Sequence, residues 1–303
     1  MRTIVPKQCL ILCLLFCIFA PRAHAAETCA GTAPAVDGVR TLRLTLAGVP
    51  AIVRVPSGAS RAAIVLWHGF GPPAGEDELL RALPLDELPA VKVYLGLPLF
   101  GARAPKPPEL SLAQRQARDY GALLFEPVVL GAADELPAVV RALRQSGCLG
   151  RTDPVGLFGF SAGGAAVLMA LIQQKVPVRA AVVINAPTGL HGAIDALERA
   201  TQKSYAWTPH TRELAGRSDA ILHAAQVASG DPALLIIQGT EDTVVDAHGA
   251  QMLLAALRPF YHRTGQDGRL QMLLTPNVAH DWTNAQALAQ VRSAVAGWFN
   301  SYL

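Results

Sequence analysis

Residues 155–164 read Val-Gly-Leu-Phe-Gly-Phe-Ser-Ala-Gly-Gly. The apolar run from Val155 to Phe160 ends at Ser161, and an apolar stretch rich in small residues begins at Ala162. This order predicts a buried strand, a sharp turn and a helix. In a nucleophile elbow, which has this layout, the serine at the turn projects its hydroxyl above the end of the strand. The helix N-terminus beside it favours negative charge. We therefore predict that Ser161 is a nucleophile.

The same residues have two other interpretations, an ordinary Gly-rich turn and a phosphate-binding loop. A phosphate-binding loop is disfavoured because no Gly-Lys-Ser/Thr ending follows. The stretch also does not follow the first strand of the chain, where a dinucleotide-binding fingerprint would be expected. The strand and the helix on either side of the serine favour the elbow.

Strand and helix patterns alternate on both sides of this stretch. Alternating residues at 41–46 and 51–55 predict an antiparallel hairpin. Apolar runs typical of buried strands occupy 62–67, 91–95, 155–160, 180–184, 233–238 and 270–274, and helical patterns occupy 110–124, 130–145, 162–174, 247–257 and 284–299. The alternation predicts an α/β domain whose mostly parallel sheet has helices on both faces. Residues 188–230 have no clear strand and are expected to form a small helical cap insertion over the C-terminal edge of the sheet.

Two later loops carry the residue types that activate a serine. One ends in Asp242 and follows the predicted strand at 233–238; the other contains His280 and follows the strand at 270–274. Loops at the C-terminal ends of parallel strands meet over one edge of the sheet. We therefore expect His280 to take the Ser161 proton and Asp242 to orient the imidazole. Four other carboxylates remain candidates for the acid: Asp231, Glu241, Asp246 and Asp281.

A fourth segment has the pattern of an oxyanion loop. After the predicted strand at 62–67, residues 68–71 read His-Gly-Phe-Gly. The backbone N–H groups of Phe70 and Ala162 are expected to stabilise the oxygen anion that forms when the serine attacks a carbonyl. Either glycine beside Phe70 could donate in its place. His68 itself is expected to be structural.

Together these segments resemble the α/β-hydrolase superfamily, from about residue 42 to the C-terminal helix. Residues 95–103, Leu-Gly-Leu-Pro-Leu-Phe-Gly-Ala-Arg, resemble the corresponding loop of dienelactone-hydrolase-like proteins and of prolyl-oligopeptidase catalytic domains. The elbow carries Ser161, whereas dienelactone hydrolase itself uses cysteine. The resemblance implies an α/β-hydrolase fold and a serine hydrolase of the carboxylesterase type, which takes a small-molecule ester and needs no cofactor and no metal.

Two other functions stay open on the sequence alone. A peptidase or amidase could use the same three residues, because His280 can protonate an amine leaving group. A catalytically silent binding protein with the hydrolase fold is the other alternative, and the complete set of serine, acid and histidine disfavours it. Residues 188–230 are expected to form one wall of the pocket. There Tyr205 and Trp207 either contact substrate or pack in the core of the insertion.

Residues 1–25 have the anatomy of a secretory signal peptide. Basic residues precede a run of twelve apolar residues, Cys9 to Ala20, and small residues stand at both cleavage-specifying positions, Ala23 and Ala25. The run is shorter than the roughly 20 apolar residues that a membrane-spanning helix needs. We expect the hydrolase domain, residues 26–303, to be exported to the periplasm or the medium, with no stable membrane insertion after cleavage.

Charge and cysteine content limit the partners of the processed chain. The full chain has 26 basic and 23 acidic residues, and residues 1–25 hold three of the basic ones and none of the acidic ones. The remaining formal net charge of zero gives no general attraction to nucleic acid or anionic lipid. Cys29 and Cys148 remain, and in an oxidising compartment we expect a disulfide between them. Two unrelated buried thiols are the alternative.

Overall fold

The computed structural model describes Cys29, residues 35–58 and residues 62–303. The predicted signal peptide lies outside these residues. Within them, one sheet is built from the strands β1 (Val39–Leu46), β2 (Val49–Pro56), β3 (Ala63–Trp67), β4 (Val91–Leu95), β5 (Val155–Phe160), β6 (Val178–Ile184), β7 (Ala233–Gly239) and β8 (Leu270–Thr275). The order across the sheet is β1-β2-β4-β3-β5-β6-β7-β8.

The sheet is parallel except at one side. β2 runs antiparallel to both of its neighbours, β1 and β4, and the remaining pairs are parallel. Both the predicted hairpin and the mostly parallel sheet are thus confirmed. The pairing of Trp67 with Gly159 places the end of β3 directly beside the end of β5. Because β3, β5, β7 and β8 all point the same way, the loops that follow them share one edge of the sheet.

Helices cover both faces of the sheet. They are α1 (Glu76–Ala82), α2 (Leu112–Tyr120), α3 (Gly131–Gln145), α4 (Ala162–Gln173), α5 (Leu190–Thr201), α6 (Pro209–Ser218), α7 (Ala224–Val227), α8 (Ala247–Arg263) and α9 (Ala285–Tyr302). One apolar core lies under α3, α4 and α8, and a second lies under α1 and α9 on the opposite face. β3, β5 and β7 are buried along their whole length, as expected for apolar strands between two layers. Among the described helices, none is long and apolar enough to cross a bilayer.

The chain between α2 and α3 departs from the predicted pattern. The sequence predicts one helix over 110–124, but the α-helix ends at Tyr120 and a π-helix over Gly121–Leu130 continues into α3. Asp119 has an extended backbone, with φ −164° and ψ 97°, which marks the kink. Pro127 lies inside the π-helix and has no N–H to donate. Wider hydrogen-bonded turns of this kind are invisible to a 3.6-residue pattern.

Helix α1 is absent from the sequence prediction altogether. It has only seven residues, and Leu79 is its one buried side chain. Three acidic residues, Glu76 to Glu78, fill its first turn, where they interact favourably with the helix dipole. A helix this short presents too few apolar positions for a periodic signal.

A disulfide joins Cys29 to Cys148 in the structure. Cys148 lies just after α3, so the bond attaches Cys29 to the segment that leads into β5. The Cys29 N–H also donates to the Ser146 carbonyl at 3.2 Å. Arg40 on β1 donates to the Cys29 carbonyl. Cys29 is therefore held by covalent and polar contacts at the edge of the first core.

Replacing Cys148 with serine should lower the free energy of unfolding. The disulfide closes a loop over a sequence separation of 119 residues. In the chain-entropy model its loss costs up to about 5 kcal/mol. Urea denaturation of Cys148→Ser and of wild type measures the difference. Reduction with dithiothreitol should lower the free energy of unfolding of wild type to that of the variant. The double variant Cys29→Ser/Cys148→Ser is the control and should match the single one. Equal stability of oxidised wild type and Cys148→Ser would contradict the prediction.

Candidate active site

The serine predicted to be the nucleophile lies at the turn from β5 to α4. Ser161 has φ 53° and ψ −119°, a backbone conformation that L-residues rarely adopt. A Cβ on Gly159 would collide with the Gly163 carbonyl, and a Cβ on Gly163 would collide with the carbonyl oxygens of Trp67 and His68. Glycine at both positions therefore allows the first turn of α4 to touch the backbone of β5 and β3. This contact fixes Ser161 at the loop-bearing edge of the sheet.

The structure brings Ser161, Asp242 and His280 together. The Ser161 hydroxyl lies 3.0 Å from His280 Nε2, and His280 Nδ1 lies 2.8 Å from Asp242 Oδ2. The Asp242 side chain is 0% exposed and that of His280 is 16% exposed. A carboxylate can only accept, so Nδ1 carries the proton and Nε2 presents its lone pair to the hydroxyl. The arrangement can accept the proton of the serine.

Asp242 is held by more than the histidine. Its Oδ1 accepts the N–H groups of Val244 at 2.8 Å and Val245 at 2.9 Å. These two bonds fix the plane of the carboxylate, so that Oδ2 faces the histidine. The other candidate carboxylates bond elsewhere or face solvent: Asp246 at the N-terminus of α8, Asp231 to Thr264, Asp281 to Thr283, and Glu241 in solvent.

Asn185, which the sequence did not indicate, links the two loops that carry the acid and the base. It follows β6 and is fully buried. Its Oδ1 accepts the Gly239 N–H at 2.8 Å, and its Nδ2 donates to the Ala279 carbonyl at 3.1 Å. Gly239 is the last residue of β7, just before the loop of Asp242, and Ala279 precedes His280. One side-chain amide thus sets the spacing between the two loops. In the sequence, the feature that could have indicated Asn185 is its position as a polar residue directly after an apolar strand.

The loop after β3 lies against the serine. A Cβ built on Gly69 would lie 3.0 Å from the Ser161 Cβ. The Gly69 N–H donates to the Pro73 carbonyl at 3.2 Å, so it is already occupied. By contrast, no hydrogen bond between described residues uses the N–H of Phe70 or of Ala162. Both predicted donors are therefore available to a ligand oxygen, and of the two neighbouring glycines only the one after Phe70 remains an alternative.

His68 holds this loop from inside the protein. The side chain is fully buried. Its Nδ1 lies 2.7 Å from the Gly69 carbonyl oxygen, and the Leu97 N–H donates to its Nε2 at 3.2 Å. A carbonyl requires a donor and an N–H requires an acceptor, so His68 is neutral with its proton on Nδ1. Burial lowers the pKa of His68 to about 4, and the backbone bond to Gly69 and the charge of Glu78 oppose this shift only in part.

The aromatic residues of the segment 188–230 pack against the protein. The Tyr205 hydroxyl donates to Asp119 and accepts the Gly121 N–H at 3.3 Å. Trp207 contacts the Tyr205 ring edge-on at 5.1 Å and the His191 ring at 5.0 Å. Both aromatic side chains are partly buried against the first core. They thus dock helices α5 and α6 onto the π-helix, in agreement with the core alternative.

Chemically, the site offers a hydroxyl within hydrogen-bond distance of a histidine, a carboxylate bonded to that histidine, and backbone N–H groups free to bind a ligand oxygen. Such a set can transfer an acyl group through a covalent intermediate. Three or more His, Cys, Asp or Glu side chains positioned to hold a metal ion are not found among the described residues.

Comparison of the sequence with protein families gives one match. The model described as the prolyl oligopeptidase family matches residues 131–303, more than half of the chain. The matched region includes Ser161, Asp242 and His280. No curated protein matches the chain significantly.

Several solved structures share the fold. The protein TT1662 from Thermus thermophilus superposes with a TM-score of 0.65 at 22% identity, covering 86% of this chain and 98% of that one. A puromycin-hydrolyzing peptidase from Mycobacterium tuberculosis gives 0.62 at 18% identity, covering 90% of this chain and 41% of the peptidase. Dienelactone hydrolase from Anabaena variabilis gives 0.53 at 18% identity, with 88% and 99% covered. The chain thus spans about two fifths of the mycobacterial peptidase. At these identities the likeness concerns the fold.

The buried His68 should make the protein less stable in acid. Its pKa is about 4 in the folded protein against 6.5 in the unfolded chain, so the unfolded state binds more protons between these values. Stability from His68 is therefore complete above about pH 6.5 and falls by up to about 3 kcal/mol as the pH drops to 4. Urea denaturation of wild type and His68→Asn from pH 7 to pH 4 measures this, because asparagine can still donate to Gly69 but does not titrate. Parallel curves for the two proteins would refute the prediction.

Proposed function

The chain belongs to the prolyl oligopeptidase family and is a serine hydrolase with the α/β-hydrolase fold, and from that premise we propose that it hydrolyses carboxylic esters through an acyl-enzyme on Ser161. The observation that carries the proposal is the position of His280. Its Nε2 faces the Ser161 hydroxyl at 3.0 Å while Nδ1 bonds to the buried Asp242. A serine is a weak nucleophile until such a base removes its proton.

In the acylation step, Ser161 Oγ attacks the ester carbonyl carbon while its proton moves to His280 Nε2. The carbonyl oxygen becomes an anion, and the N–H groups of Phe70 and Ala162 stabilise it. When the anion collapses, the bond to the alcohol oxygen breaks, and His280 returns the proton to that oxygen. Asp242 keeps the imidazole in one tautomer and stabilises its charged form.

Deacylation uses the same groups with water as the nucleophile. His280 takes a proton from water, the hydroxide attacks the acyl carbon, and the bond to Ser161 Oγ breaks as the proton returns to the serine. The free acid then leaves. The two N–H donors act in both steps because the same carbonyl oxygen carries the charge each time. Loss of one such donor typically costs a factor of about 10² to 10³ in rate.

Peptide or amide hydrolysis on the same residues is the second candidate. Two observations favour it: the family match itself and the similarity in fold to a puromycin-hydrolyzing peptidase. An amine leaves only after protonation, so this reaction depends more strongly on the proton held by His280. We place ester hydrolysis first because an alcohol leaves more readily from the same intermediate.

Export to an oxidising compartment is part of the proposal. The disulfide between Cys29 and Cys148 supports it, since such bonds persist outside the reducing cytosol. The sequence of residues 1–25 is consistent with the same route.

Covalent labelling tests the proposed nucleophile. A fluorophosphonate probe should label the wild-type protein, because it reacts with serines that an adjacent base activates. Ser161→Ala should abolish labelling, and Ser229→Ala, which removes an exposed serine, should leave it unchanged. In-gel fluorescence and peptide mass spectrometry read out the extent and position of labelling. A folded wild type without label, or a label retained in Ser161→Ala, would contradict the proposal.

The same preparations separate the two candidate reactions. A matched pair of substrates that differ only in an ester or an amide bond is compared by kcat/KM. We expect the ester to be cleaved faster by a factor of at least about 10², since no amine needs protonation. Preference for the amide would assign the peptidase function instead.

A further inference from the structure

The loop after β4, residues 96–103, forms a compact unit beside the Phe70 loop. Within it, the Phe100 N–H donates to the Leu97 carbonyl at 3.1 Å, and the Arg103 N–H donates to the Phe100 carbonyl at 2.9 Å. Two successive turns thus fix its backbone. We refer to residues 96–103 as the β4 loop.

Arg103 anchors the β4 loop to helix α3. Its Nη1 donates to the Gly96 carbonyl at 3.0 Å and to Glu135 Oε2 at 2.9 Å, and its Nη2 donates to Glu135 Oε1. The Arg103 side chain is only 21% exposed and that of Glu135 is 31% exposed. A planar guanidinium bonded to both carboxylate oxygens is held in one orientation. The first carbonyl of the β4 loop is therefore fixed with respect to α3.

This carbonyl belongs to a peptide unit that is held on both sides. The unit joins Gly96 to Leu97. Its oxygen accepts from Arg103, and its N–H donates to His68 Nε2 at 3.2 Å. His68 Nδ1 in turn donates to the Gly69 carbonyl at 2.7 Å. The Gly69 carbonyl belongs to the peptide unit between Gly69 and Phe70, and the N–H of that unit is the one of Phe70. Because a trans peptide is planar, its oxygen and its N–H point in opposite directions, and fixing one fixes the other.

Aromatic contacts join the same two loops. Phe100 of the β4 loop stacks on Phe70 with 5.2 Å between ring centroids and 9° between ring planes. Its edge also meets His68 at 5.6 Å. The side chain of Phe70 is thus packed by the loop that Arg103 anchors. The hydrogen bonds through His68 and the ring stacking with Phe100 therefore both restrain Phe70.

We propose that Arg103, held by Glu135, is a positioning residue that orients the Phe70 N–H through the β4 loop and His68. Arg103 acts at a distance and touches neither substrate nor the reacting atoms. The connection runs through alternating side chains and peptide units, and each link polarises the next. The inference rests on the proposed function, in which the Phe70 N–H stabilises the oxygen anion.

Arg103→Met tests the role, with Arg54→Met as the matched control. Arg54 forms a comparable pair with Asp86, at 19% and 41% side-chain exposure, from the antiparallel part of the sheet. In Arg103→Met, kcat for an ester should fall about tenfold with KM within about twofold, because only the charged intermediate needs the aligned donor. The affinity for a trifluoromethyl ketone, which forms an oxygen anion on the serine, should fall by the same factor. Arg54→Met should change neither quantity.

Two further variants keep the test informative if Arg103→Met folds poorly. Glu135→Gln keeps the shape of the partner and removes its charge, and kcat and ketone affinity should fall together by about threefold. Arg103→Lys should restore part of both, since lysine can still donate to the Gly96 carbonyl. A fall in kcat accompanied by an equally large change in KM, or a loss of stability with kcat and KM unchanged, would assign a merely structural role and overturn the proposal.

Fluorophosphonate labelling of wild type separates the two levels of inference. Without labelling at Ser161, the proposed function and the positioning role both fail. With labelling of wild type, unchanged kcat and unchanged ketone affinity in Arg103→Met overturn only the positioning role.

Discussion

The close approach of the first turn of α4 to strands β3 and β5 is the constraint on which the site depends. Side chains larger than hydrogen at Gly159 and Gly163 would collide with backbone carbonyls. The turn between strand and helix is consequently tight, and Ser161 takes a positive φ. The strain in this backbone is offset by the packing of α4, which is buried over residues 162–171. The serine is therefore positioned by the core of the protein.

Loops from both sides of β5 then converge on this fixed point. On one side, Asn185 sets the spacing between the loops of Asp242 and His280. The imidazole nitrogens of His280 consequently lie 2.8 Å from the Asp242 carboxylate and 3.0 Å from the Ser161 hydroxyl. On the other side, His68 fixes the peptide unit that carries the Phe70 N–H. Both supports are buried, neutral side chains that bond to backbone groups. The loops of the site are thus held by buried polar groups whose hydrogen bonds are satisfied, and such groups make a core rigid.

The sequence predicted the parts of this site that follow the ends of strands. Ser161 comes directly after an apolar strand, and Asp242 and His280 lie in the loops that follow two others. The shared direction of parallel strands brings such loops to one edge of the sheet. Asn185 and the Arg103–Glu135 pair were missed because their roles depend on which loops meet, and that is set by tertiary packing. The π-helix over 121–130 was missed because its turn differs from the helical period. Local pattern therefore indicated the proposed reacting groups, and only the packed structure revealed which side chains hold them in place.

A crystal structure of the Ser161 phosphonyl adduct would test this account most directly, because the phosphonyl oxygen occupies the position of the oxygen anion. We predict that this oxygen lies about 2.7 to 3.1 Å from the N–H nitrogens of both Phe70 and Ala162. We also expect His280 to lie between the adduct and Asp242. A phosphonyl oxygen that points into solvent, away from both nitrogens, would contradict it.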